Sequence, residues 1–154
     1  MKAILYQCIR SNSCRRSHNS NAQSKQSLAL LRAALTAPYP PQTLEGKAAP
    51  RALEFNLSAV ENAPPTPDQI RIILSNLKLP LSTLVSAHPA SGGWLADSPA
   101  ALAKASTDNP QVFRFPVIVN WDDGEAALDV GGVKRMLDNL ARKRDKGSVD
   151  QSIK

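Results

Sequence analysis

The sequence has only two cysteines, Cys8 and Cys14, in its 154 residues. Their spacing is neither the C-x-x-C of a dithiol redox site nor a repeated pair of metal ligands. Together with His18 they would give three zinc ligands, and only the distant His88 could supply a fourth. No metal site is therefore expected, and no cofactor is implied. Two thiols are also too few to staple a disulfide scaffold. Aromatic residues are scarce, at 5%, which disfavours a densely packed barrel. Twelve prolines point instead to loop-rich margins. No apolar run reaches the roughly 18 residues of a membrane span, so none is expected. Acid is missing locally: the first carboxylate is Glu45.

That last absence relocates the net charge of +6. The first 44 residues hold Lys2, Arg10, Arg15, Arg16, Lys25 and Arg32, and the remaining 13 basic residues balance all 13 acidic ones. A nucleic-acid module would carry its excess on the folded body, beside aromatic or groove-reading elements, so no nucleic-acid partner is expected. Met1 to about Ser17 reads better as a mitochondrial import segment, because transit peptides are basic, hydroxylated and poor in acid. Three alternatives stay open for the same residues: a disordered basic tail, a distorted first strand, or a start from which the true first strand is missing.

Length allows one domain, and the apolar fraction of 42% suffices for its core. The expected division is a leader at 1–17, a folded domain at 18–145 and a disordered tail at 146–154. Within the domain, Ser24 to Leu35 has the helical period, with Ser24 as N-cap and Pro38 beyond the end. A proline-rich loop runs from Pro38 to Pro50. Ala52 to Leu57 alternates as a half-buried strand, and Glu61 to Pro65 is a loop. Thr66, Pro67 and Asp68 open a second helix with Ile70, Ile73, Leu74 and Leu77 on its apolar face. Leu81 to Ala87 and Ser98 to about Ala105 suggest short helices. Phe115 to Trp121 is a β-branched run expected of a strand buried on both faces. Asp122-Asp123-Gly124 is a hairpin turn, and Glu125 to Val130 a second strand. Gly131-Gly132 should break it before a helix from Val133 to Arg144. Phe55, Val117 and Val119 are expected in the core on adjacent strands.

With one strand ahead of the first helix, the order becomes β-α-β-α-β-β-α, that of a thioredoxin-like α/β/α sandwich with a mixed sheet. Phe115-Pro116 then takes the position of the proline, commonly cis, that opens the strand facing the active site. Two stretches, Leu53 to Leu77 (containing APPTPDQ) and Val112 to Leu140 (FPVIVNWDDG at its centre), resemble the fungal mitochondrial putative redox proteins. His18 to Leu35 adds a weaker match. The resemblance implies a thioredoxin-like fold near the arsenate-reductase-like branch, a mitochondrial location, and a reductase role toward small molecules or disulfides.

The departures bear on chemistry. A thioredoxin-type reductase needs a thiolate at the N-terminus of its first helix, where the helix dipole lowers the thiol pKa. That turn reads Asn21-Ala22-Gln23-Ser24-Lys25, without cysteine. Ala103 to Thr107 has none either. Cys8, just past a first strand at Ala3 to Gln7, is the remaining candidate nucleophile. Arg114 and Pro116 are the candidate substrate-binding residues, although the related branch has its arginine directly before the proline, where this chain has Phe115. A one-residue displacement on a strand turns a side chain to the other face. The rival expectation is a thioredoxin-fold binding protein without thiol chemistry. Trp121 is expected in the core, Asp122 and Asp123 in the turn, His88-Pro89 in a turn, and Trp94 after a flexible Gly-Gly.

Overall fold

The computed structural model describes residues 2–7, 18–41, 51–61, 63–87, 91–92 and 97–150. Four strands form one mixed sheet: β1 (Lys2–Gln7), β2 (Asn56–Glu61), β3 (Val117–Asn120) and β4 (Glu125–Ala127). Four α-helices accompany them: α1 (His18–Thr36), α2 (Pro67–Leu77), α3 (Pro99–Asp108) and α4 (Val130–Asp150). The sheet order is β2-β1-β3-β4. β1 runs parallel to β2 and antiparallel to β3, and β3 runs antiparallel to β4. Of the alternatives open for the N-terminal residues, the strand holds for 2–7, and it is a central strand. The remainder of 1–17, with Cys8 and Cys14, lies outside the described residues, as do His88, Pro89 and Trp94.

Each side of the sheet has its own core, because strand side chains alternate between faces. Ile118 and Ala127 point into one core with Leu31 and Ala34 of α1 and Val133, Met136, Leu137 and Ala141 of α4. Val117 and Val119 point into the other, with Ile70 and Ile73 of α2 and Leu102 and Ala103 of α3. Val117 to Asn120 is buried throughout, as a strand covered by helices on both faces must be. Phe55 lies in the first core and not with the two valines. It also precedes β2, which β1 separates from β3. The expected placement on adjacent strands is thus corrected.

Local chemistry explains most element ends. Thr66 caps α2: its hydroxyl accepts from the Gln69 N–H while the Gln69 side chain accepts from the Thr66 N–H at 2.9 Å. Lys78 closes the helix in the left-handed region, at φ 54°. Ser98 caps α3 through the Ala101 N–H at 3.1 Å. The β3–β4 turn needs Gly124 at φ +64°, a conformation that costs glycine nothing.

Other ends differ from expectation. β2 begins at Asn56, because Leu53 spends its N–H on the Ala34 carbonyl at 2.8 Å and docks in the core outside the ladder. Residues 81–84 form a single 3-10 turn, and Val85 then pairs with Phe113. β3 spans only 117–120, leaving Trp121 in the turn. β4 stops at Ala127, and α4 starts at Val130 with Gly131 and Gly132 inside it. Asp129 starts the helix, accepting the Gly132 N–H on its side chain at 2.6 Å. That bond outweighs the helix-breaking tendency of the glycine pair. α4 also continues beyond Arg144, to Asp150.

Candidate functional site

The antiparallel register pairs Tyr6 with Val117, which sets Gln7 level with Pro116. The parallel register pairs Gln7 with Glu61. The ends of β1 and β2 and the start of β3 therefore share one edge of the sheet. Cys8 follows Gln7 in sequence, outside the described residues.

Pro116 is buried and follows a cis peptide bond. Phe115 is buried too, its ring centroid 5.0 Å from that of Phe113 at a tilted angle. An edge-inclined pair of this kind suits the quadrupoles of the two rings. Arg114 is exposed. Its backbone N–H donates to the Leu84 carbonyl at 2.8 Å, while the Ser86 N–H donates to Val112 at 2.8 Å. This short ladder fixes the approach to Pro116. The position directly before the proline is thus spent on packing, and the neighbouring guanidinium projects into solvent. Of the three expected site residues, the structure brings Pro116 to the edge and leaves Arg114 without an ion pair among the described residues.

The remaining candidates have structural roles. Trp121 is half-buried against the second core. Asp123 accepts from the Asn120 side-chain N–H at 2.8 Å and pairs with Lys143. Lys143 first, and Asn120 second, hold its carboxyl below the usual range. No group of three or more potential metal ligands exists among the described residues. No helix among them is long and apolar enough to cross a membrane.

Two arrangements had no sequence signal. The Val85–Phe113 bridge joins segments with no strand periodicity, and only the burial of Phe113 and Phe115 explains their meeting. Tyr39, in the proline-rich loop, is buried and donates its hydroxyl to Asp138 of α4 at 2.8 Å. Burial, and then the carboxylate, push its pKa up to about 12. Arg144 clamps the same loop through the carbonyls of Tyr39 and Arg51. The clamp borders a groove of about 260 Å³ floored by Leu53 and Leu140.

The chain is similar to a protein of the fission yeast Schizosaccharomyces pombe named "Putative redox protein fmp46, mitochondrial", with 43% identity over 75 residues. The aligned stretch is 49% of this chain and 55% of the relative, so the match spans about half of each. The relative's name supports the mitochondrial location expected from the basic N-terminal segment. Residues 15–129 match the family model described as "Protein of unknown function (DUF1687)". The chain belongs to that family.

Proposed function

We propose that this is a mitochondrial redox protein with a thioredoxin-like fold, acting on a small molecule or a disulfide through the thiol of Cys8. The observation that carries the reading is the sheet itself. A parallel β1–β2 pair, an antiparallel β3 beside β1, and Pro116 level with the end of β1 support a site at the edge where Cys8 enters the sequence. The relative named as a redox protein adds support. In this reading the Cys8 thiolate attacks one sulfur of a substrate disulfide, breaking the S–S bond and releasing the other sulfur as a thiolate. A second thiol then attacks the mixed disulfide, frees Cys8 and is itself oxidised to a disulfide. Arg114, exposed two residues from Pro116, is available to an anionic group of the substrate.

The second reading, a binding protein without thiol chemistry, is favoured by one observation: the first helix, at whose start a thioredoxin-type thiolate would sit, contains no cysteine. Comparing the full chain with Cys8→Ser and Cys14→Ser in a thiol-coupled reduction assay separates the two. The redox reading expects turnover that Cys8→Ser abolishes and a thiol whose alkylation rate reveals a lowered pKa. Turnover unaffected by both substitutions would sink it.

A further inference from the structure

The two helical layers differ in charge. α2 and α3 are balanced, with Arg71 and Lys104 against Asp68 and Asp108. α1 contains Lys25 and Arg32 and no acid. On α4, among the residues whose exposure is described, Lys134, Arg135, Arg142 and Lys146 are exposed beside two exposed acids, Asp138 and Asp145. Asp145 is paired with Arg144, and Asp138 keeps its charge while accepting from the Tyr39 hydroxyl, so the cations remain in excess. The six cations have no ion pair among the described residues.

Helical spacing puts these cations outward. Arg135, Arg142 and Lys146 recur at intervals of seven and four, opposite the buried Val133, Leu137 and Ala141. Lys25 and Arg32, seven apart on α1, are exposed along one flank of that helix, each about 100° around from the buried residue before it, Ser24 and Leu31. α1 and α4 share one core, so both sets of cations belong to the same helical layer of the sheet.

We propose that the outer surface of the α1–α4 layer docks on the anionic headgroups of a phospholipid bilayer. Clustered lysines and arginines are attracted to such headgroups within a Debye length. The helices contribute no aromatic residue, and so have none of the stacking platforms by which proteins hold single-stranded nucleic acid. Of the exposed large hydrophobic side chains among the described residues, Ile72 lies on α2 and Leu79 just beyond its end, in the other layer. Binding is therefore electrostatic and superficial, without insertion. This inference does not depend on the redox reading.

The test uses the full chain and vesicles of phosphatidylcholine, alone or mixed with cardiolipin. Co-sedimentation is expected only with the anionic vesicles. It should be lost when salt rises from about 0.1 M to 1 M, as the Debye length falls from about 10 Å to 3 Å. The double substitution Arg135→Gln with Arg142→Gln should weaken binding by roughly an order of magnitude or more. Lys25→Gln with Arg32→Gln does the same from α1 and serves if the first variant fails to fold. Arg71→Gln with Lys104→Gln, in the balanced layer, should leave binding unchanged. Three outcomes would overturn the proposal: equal binding to neutral vesicles, binding that folded variants of both sets retain in full, or retention on single-stranded RNA with none on vesicles.

Discussion

Gly132 sits against Ala127 so closely that a β-carbon added to the glycine would stand 2.7 Å from that of the alanine. The same atom would crowd the Asp129 carboxylate, at 3.2 Å, which accepts the Gly132 N–H. Strand β4 and helix α4 can meet at this angle only because the side chain is absent. Gly132→Ala is therefore expected to destabilise the fold by about 1–3 kcal/mol, the usual cost of overpacking. Glycine to alanine in an open helix would instead gain up to about 1 kcal/mol. Gly131 provides the contrast, since its added carbon meets only Asp129 at an ordinary 3.4 Å. Urea unfolding of both variants checks this, and equal midpoints would show that the contact does not form.

Tyr39→Phe removes the hydroxyl that reaches Asp138 and should cost about 0.5–1.5 kcal/mol. The pH dependence has a definite sign. Folding favours the neutral phenol, so this contribution is complete below the ordinary pKa of 10.0 and is lost as pH rises toward about 12. Phenolate absorbance of the wild type should show a late-titrating phase belonging to Tyr39, and the variant should lose that phase. A wild-type protein whose tyrosines both ionise near pH 10.0 would refute the burial of this ring.

The Asp123–Lys143 pair acts at the other end of the scale. The Asp123 carboxyl is held below its ordinary value of 3.8, so its contribution is present above that pH and fades as pH falls through the lowered value. Asp123→Asn keeps the shape of the turn and removes the charge. Lys143 is exposed, so solvent screens the pair and the loss at neutral pH should be small. Melting curves of the two proteins should converge in strong acid, and a gap that persists there would assign the effect to something other than this charge.

Removing residues 1–17 should abolish cooperative folding. Lys2–Gln7 pairs with β2 on one side and β3 on the other, so the truncated chain keeps a separate edge strand and hairpin. Far-ultraviolet circular dichroism and proteolysis of the two proteins measure this. A truncated protein with a sharp unfolding transition would show that β1 is dispensable.

How much of this could be read from the sequence depends on whether local or distant groups decide each element. Helix α2 was legible because Thr66, Pro67 and the spacing of Ile70 and Ile73 act within a few residues. The β3–β4 turn was legible because Gly124 has to adopt positive φ. The start of β2 was not, because the alternation of Leu53, Phe55 and Leu57 continues through residues whose backbone is bonded elsewhere. The start of α4 was missed because Asp129 caps the helix from beyond a glycine pair that locally signals a break. At the candidate site, Pro116 could be placed from element order, whereas the burial of Phe115 beside an exposed Arg114 depends on a bridge to Val85 that leaves no periodic trace.

The central position of β1 has a consequence for the time order of folding. Ala3 pairs with Asn120 and Tyr6 with Val117, so the first strand made is joined to one of the last. Closing so long a loop is entropically costly before its contacts repay it, and topologies of this kind fold slowly. A chain emerging from its N-terminus cannot complete the sheet until β3 has followed. Until then β1 has a partner only in β2, and the two cores that β3 separates cannot close.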